Sequence, residues 1–416
     1  MSHLKYSSIT LINTIIVSII PFLIWGPFFP DLIVSISALF FLYYIFKNKE
    51  FYFFYNKTLI IFFIFCTYCI LLSLFVAEDK MLSFKSSLFY FRIGIFSCFV
   101  WYLIDRDKKI LTYFYYALIL CFLALVIDGY IQYFTGENLF GLKMFGTRVS
   151  SFFGDELIMG SYLSRLFPLL FALFLVKQKH KFEIYFIGLL FIAVDILIFM
   201  SGERSAFFFL NLSTVFIIIL IKEYQKFRLI TFFIAIICIF ILSLYSENLS
   251  NRMFKTPAQD MGLIKSSKAK DPVIFSPAHD SLFRTAYNMF EENPILGHGP
   301  KMFRVLCKEE KYRVGIEPCL PHPHNFYLQL LAETGIIGFI FFVSIFILVI
   351  FKALHQFKSI IFRQKRPLTD YQVCLLAGIL VTVWPFSPNG NLFNNWLMIV
   401  YSMPIGFYLQ SIYSKK

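Results

Sequence analysis

Charge is what this chain is shortest of: only 15% of its 416 residues are Asp, Glu, Lys or Arg, against roughly a quarter in soluble globular proteins. With 58% hydrophobic residues and a mean hydropathy of +0.71, it has too little polar surface to clothe a water-soluble core. A soluble enzyme, a disordered protein and a disulfide scaffold are excluded. Nucleotide signatures are missing as well: the sequence has no Walker A loop, no dinucleotide glycine fingerprint and no Gly-x-Ser-x-Gly elbow. A nucleotide is therefore not expected as the energy source. Solenoid-period repeats and the half-to-half symmetry of many transporters are also lacking. Phe supplies 56 residues, and the excess of Phe, Ile, Lys and Tyr has the look of codon bias. Codon bias does not explain why apolar residues come in runs of about 20, long enough to span a bilayer.

Twelve such runs are present, near 9–29, 31–46, 58–76, 86–104, 110–134, 157–176, 182–199, 205–221, 228–245, 327–351, 371–387 and 393–413. They predict an all-α polytopic membrane protein. The first run is followed at once by a second and shows no small-residue cleavage site, so it reads as a retained anchor. Placing the N-terminus in the cytoplasm leaves twenty Lys and Arg on the inner side, from Lys5 through Arg228 to Lys415 and Lys416, against Lys80, Lys85, Lys143, Arg148 and Arg204 in the short outer links. That asymmetry predicts both termini inside. It also accounts for most of the +13 net charge without any nucleic-acid partner. The expected organisation is nine spans over 1–245, an outward segment over 246–326 and three spans over 327–416. The outward segment carries eight prolines and four of the seven histidines.

Ionisable side chains inside spans are expensive and suggest function by default. Arg92, Asp128, Asp195, Glu156, Arg165, Glu203 and Arg204 gather toward the outer side. They suggest a polar cavity beneath the outward segment, unless each is merely half of a helix-locking pair. In Pro321-His322-Pro323-His324-Asn325, Pro323 disfavours helix for His322 and Asn325 is a fair helix cap, so His324 is expected at or just before a helix start. Nearby arginines would hold such a histidine neutral. His322 and His324 with Asp280 or Glu317 could be drawn as a zinc site, but the spacing fits no trusted pattern, and neither a metal nor another cofactor is expected. Six cysteines fall in spans. Cys307 and Cys319 do not, and on an oxidising side they are able to pair.

His324-Asn325, nine residues, Gly335, two residues and Gly338 resemble the signature of the bacterial O-antigen ligase and Wzy-type polymerase superfamily. Ser201-Gly202-Glu203-Arg204-Ser205 is similar to that family's Ser-Gly-x-Arg turn, with Phe208 where Leu is usual. Arg284 followed by Asn293-Pro294-Ile295-Leu296-Gly297-His298-Gly299 is similar to its Arg…Pro-x-Leu-Gly-x-Gly stretch. The resemblance covers about 190–350. It implies a GT-C-like, metal-independent, inverting glycosyltransferase of the bacterial inner membrane, with its active site facing the periplasm. The donor would be a glycan on undecaprenyl diphosphate, and the acceptor a sugar hydroxyl on lipid A–core (a ligase) or on a lipid-linked repeat (a polymerase). His324 is the expected base, and Arg204 and Arg284 the diphosphate clamp. Arg148, Arg165, Glu156, His322, Asn325 and Glu333 are the further candidates for substrate contact. A protein O-oligosaccharyltransferase and a twelve-span transporter are the alternatives.

Overall fold

A computed structural model describes residues 6–177, 180–264 and 272–414. Lys5, Lys179, Lys415 and Lys416, counted above for orientation, lie outside the described residues. Among the described residues all regular structure is helical, apart from two isolated β-bridges in the 137–148 loop.

Each of the twelve apolar stretches forms a helix. The first is a pair, α1 (Tyr6–Val17) and α2 (Ile19–Trp25). Next come α3 (Phe28–Asn48), α4 (Lys57–Phe75), a short α5 (Lys80–Ser87), α6 (Phe91–Arg106), α7 (Lys109–Thr135) and α8 (Met159–Val176). They are followed by α9 (Lys181–Met200), α10 (Arg204–Leu220) and α11 (Gln225–Tyr245). The segment after α11 holds α12 (Glu247–Ser250), a π-turn over Asn251–Lys255, α13 (Thr256–Asp260), α14 (Pro277–Glu292) and α15 (Phe303–Leu306). The chain ends in α16 (Phe326–Ile361), α17 (Asp370–Thr382) and α18 (Asn395–Tyr413). Among the described residues eight helices are long and apolar enough to cross a membrane, while Ile9–Trp25, Arg204–Leu220 and Asp370–Thr382 are shorter apolar helices. This is a multi-pass membrane protein.

Helix ends fall where the sequence supplies a cap. Asn56 accepts from the Leu59 N–H, Asn394 from the Leu397 N–H, and Thr369 with Gln372 forms a reciprocal capping box. α6 and α8 are almost wholly buried. The first packs between α3 and α18, the second against α17 and α10, and α9 lies along α11.

Several intramembrane charges are paired inside this bundle. Arg228, counted above as a cytoplasmic-loop residue, is fully buried and donates to Asp195 at 2.9 and 3.1 Å and to Thr214 at 2.7 Å. Asp195 is therefore a lock between α9 and α11. A desolvated guanidinium needs such a partner. Arg92 meets Asp31 at 2.5 Å, tying α6 to α3. Asp128 accepts from the Ser151 hydroxyl at 2.6 Å and the Leu139 N–H at 2.9 Å, which folds the 137–153 loop onto α7.

Candidate functional site

The segment over 246–326 is held to the bundle at a break in α16. Gly335 has φ +61° and ψ −166°, far from helical values, and frees carbonyls of the preceding turn. The Pro294–Gly299 segment takes them up. His298 N–H donates to the Ala332 carbonyl at 3.0 Å, Gly299 N–H to Glu333 at 2.8 Å, and Ile336 N–H returns to Pro294 at 2.9 Å. A Cβ on Gly297, itself at φ +66°, would sit 2.6 Å from backbone atoms of Glu333 and Thr334; one on Gly335 would run into the Ile295 carbonyl. Two glycines meet backbone to backbone, which explains the type of residue at both positions. The Glu333 carboxylate completes the joint by accepting from the Phe303 N–H at 3.1 Å and from Gln329 at 3.0 Å. Cys307 and Cys319 form a disulfide in the loop that follows, with Cα atoms 5.1 Å apart.

From this joint α16 runs back to its own start, where Asn325 accepts from the Tyr327 and Leu328 N–H groups at 3.0 and 3.1 Å and donates to Pro385 at 3.0 Å. His324 comes one residue earlier, at φ +56°, a left-handed conformation that a side-chain-bearing residue adopts only when its surroundings impose it. The Asn389 N–H donates to the His324 carbonyl at 2.8 Å, and the Asn389 side chain accepts from the Phe326 N–H at 2.8 Å. The loop between α17 and α18 thus grips the histidine from both sides. Two more imidazoles pack against it: His322 with ring centroids 4.1 Å away and His279, on α14, at 5.6 Å. His279 Nδ1 lies 2.7 Å from the Ser276 hydroxyl. Burial pushes all three rings toward the neutral form. It takes His279 down to about 4 and His322 to about 3, and lowers His324 as well, against a weaker upward pull from Glu317.

These histidines form one wall of a half-open cavity of about 1060 Å³. The same cavity is also lined by arginines. Ser201–Arg204 turns tightly between α9 and α10, with Gly202 at φ +65°, and the Glu203 carboxylate fastens the turn to the start of α8 through the Gly160 and Ser161 N–H groups at 2.7 and 3.0 Å. Burial raises Glu203 to about 7 against those hydrogen bonds and against Arg148 and Arg252. Arg148 donates to the Ser201 carbonyl at 3.2 Å, and Arg252, from the π-turn, to the Gly202 carbonyl at 3.0 Å. Burial, followed by the like charges of Arg148 and Arg204, depresses Arg252 to about 10. At the cavity floor Arg165 is 2% exposed, stacked 4.0 Å from the Tyr401 ring and 4.5 Å from the Phe209 ring. Its one charge-assisted protein contact is the Val381 carbonyl at 3.0 Å, and its Nε has no hydrogen-bond partner among the described residues. Four guanidinium groups line one hollow, and one of them, Arg165, is buried without a carboxylate at salt-bridge distance among the described residues, a chemistry suited to a multiply charged anion.

Of the residues singled out from sequence, Arg148, Glu156, Arg165, Arg204, His322 and His324 line this cavity, Glu156 on its exposed rim. Three do not. Arg284 is 62% exposed on α14 and pairs with Asp280 at 2.9 Å. It stands five residues beyond His279, about 140° around the helix at 100° per residue, so only one of the two can face the cavity. Asn325 uses both ends of its amide as cap and brace, and Glu333 holds the Pro294–Phe303 joint with no contact to His324. Arg252 and His279 were missed, although both belong to types the outward segment made conspicuous: a cation where cations are scarce, and one of four clustered histidines. Among the described residues no group of three or more His, Cys, Asp and Glu could hold a metal ion.

Comparison with known proteins places a family on this geometry. Residues 186–343 match the family model for O-antigen ligase, a region that contains the Ser201–Arg204 turn, the 246–326 segment, His324 and the glycine joint. The match supports the resemblance to the O-antigen ligase and Wzy-type superfamily over these residues, a family that implies a glycosyltransferase-like activity in general terms. Among curated proteins none matches the chain.

Proposed function

Given an O-antigen ligase domain across residues 186–343, we propose that the protein moves a glycan from undecaprenyl diphosphate to a sugar hydroxyl, with lipid A–core as acceptor, at the periplasmic face of the bacterial inner membrane. The observation that carries the reading is the shared cavity, lined by a neutral, strained histidine and by an arginine cluster. Transfer from a lipid diphosphate needs those two things, a base for the incoming hydroxyl and positive charge for the departing diphosphate.

In this reading all twelve apolar helices cross the bilayer, both termini are cytoplasmic and the 246–326 segment is periplasmic. The cavity then opens at the outer leaflet, where a polyprenyl tail can stay in lipid while its diphosphate reaches Arg148, Arg165, Arg204 and Arg252. Arg252 takes the clamp role that Arg284 had on sequence grounds. The acceptor oxygen attacks the anomeric carbon as its proton passes to the unprotonated nitrogen of His324. The bond from that carbon to the diphosphate oxygen breaks, and its electron pair leaves with the diphosphate. One displacement inverts the anomeric centre. No metal takes part, the guanidinium groups carrying the charge.

The test is a lipopolysaccharide gel from a strain deleted for this protein and complemented with the native chain. Bare lipid A–core in the deletion, with long glycan accumulating on the lipid carrier and the ladder restored by the native gene, is the expected result. Core bearing a single repeat would transfer the assignment to a polymerase. An unchanged ladder would remove lipopolysaccharide as the product.

A further inference from the structure

Among the cavity-lining residues outside the matched region and outside every motif read from the sequence is Asn389. Asn389 stands in the loop between α17 and α18, 8% exposed, and lines the cavity beside His324. Its amide orientation is fixed by chemistry. The Phe326 N–H can only donate, so the atom 2.8 Å from it is the oxygen, and the amide cannot flip without losing that bond. The other end, Nδ2, is then a buried donor with no hydrogen-bond partner among the described residues. A buried amide left half-satisfied is costly, and folding has placed this one where its backbone N–H also holds the His324 carbonyl. His322 Nε2, on the same wall, is likewise buried and unpartnered.

We infer that Asn389 is an acceptor-binding residue whose Nδ2 donates a hydrogen bond to the attacking sugar hydroxyl and turns that hydroxyl's proton toward His324. The inference rests on the glycosyl-transfer reading and adds to it the group that orients the nucleophile. A sugar hydroxyl oxygen has two lone pairs and one proton. One lone pair forms the bond to the anomeric carbon, the proton goes to His324, and the second lone pair accepts from Asn389. The electron pair of the broken glycosyl–oxygen bond departs on the diphosphate. A base alone leaves the O–H free to rotate, whereas a base and a donor rigidly linked through the same backbone leave it one productive orientation. The linkage is short: Asn389 touches the backbone of residues 324 and 326 directly.

The experiment separates this role from that of a brace. Full-length native protein, Asn389→Asp and Asn389→Ala are reconstituted in nanodiscs and assayed with an undecaprenyl-diphosphate-linked glycan and a soluble core oligosaccharide, and undecaprenyl diphosphate alone probes donor binding. Asp keeps the oxygen that accepts from Phe326 but lacks the donor; Ala lacks both. The expected result is a fall of ~10- to 100-fold in kcat/KM for the acceptor in both variants, with undecaprenyl diphosphate binding in the Asp variant as in the native protein. An Asp variant with native acceptor kinetics beside an impaired Ala variant would reduce Asn389 to a brace and overturn the inference. Loss of undecaprenyl diphosphate binding in the Asp variant would overturn it too, since the defect would then be in the whole site. If the native protein transfers nothing, the glycosyl-transfer reading itself falls, and the acceptor role falls with it.

Discussion

Replacing Gly202 with Ala tests whether the arginine wall depends on the turn beneath it. Gly202 lies at φ +65°, a conformation that costs an L-residue with a Cβ roughly 1–2 kcal/mol. The new Cβ would also sit 2.6 Å from Nε and 2.9 Å from Cδ of Arg252, and 3.3 Å from Cγ of Arg148. Side chains yield more readily than the backbone turn that Glu203 pins to α8, so Arg252 moves off and loses its 3.0 Å bond to the Gly202 carbonyl. A hydrogen bond from a charged group is worth about 1.5–3 kcal/mol. If that energy is what holds the guanidinium over the diphosphate, donor affinity falls by about one to two powers of ten. Undecaprenyl diphosphate titrated into detergent-solubilised protein, monitored calorimetrically, measures it. The double variant Gly202→Ala/Arg252→Ala should bind no worse than Arg252→Ala alone, because the glycine acts through the arginine. Native affinity in Gly202→Ala, or losses that add in the double variant, would refute the reasoning.

Three other outcomes follow from the same geometry. Arg284→Ala should retain native transfer, because that side chain faces solvent with Asp280; a loss of 100-fold or more at normal protein level would return it to the clamp. Asp195→Asn should lower stability in detergent by about 3–5 kcal/mol, since it strands the buried Arg228 charge, and a melting temperature within a degree of native would contradict this. The limb of the transfer pH profile that reports His324 losing its proton should lie below the ordinary imidazole value of about 6.5, and a change near pH 7 should belong to Glu203 and vanish in Glu203→Gln. A limb still rising above pH 7 in Glu203→Gln would show a base held above its usual value, the opposite of what burial does here.

How much of this was legible beforehand depended on how local the signal was. Apolar runs of membrane length all became helical, the first of them as a pair, because hydropathy is a sum over adjacent residues. The cap at Asn325 and the tight turn at Gly202 were also readable, being set within a few residues. Pairings between distant helices were not: nothing near Arg228 announces that it will meet Asp195, so a buried lock looked like a cytoplasmic charge. Arg284 lies outside the cavity for an angular reason. Motif spacing identifies a helix, but which face looks into the cavity is decided by packing of α14 on α16, and that packing turns His279 inward. Glu333 sits nine residues after His324, yet the break at Gly335 and the Pro294–Phe303 joint claim its carboxylate. Asn389 left no sequence mark at all, since its importance comes from a contact across 63 residues.

The central claim is that one cavity joins a neutral base to a diphosphate clamp. It is tested most directly by comparing native protein with His324→Ala in a purified transfer assay containing lipid-diphosphate glycan, oligosaccharide acceptor and a chelator. The account predicts transfer by the native protein and a loss of about 100-fold or more in the variant, with undecaprenyl diphosphate binding equal in both. Transfer by His324→Ala at the native rate, or native transfer abolished by the chelator, would contradict it.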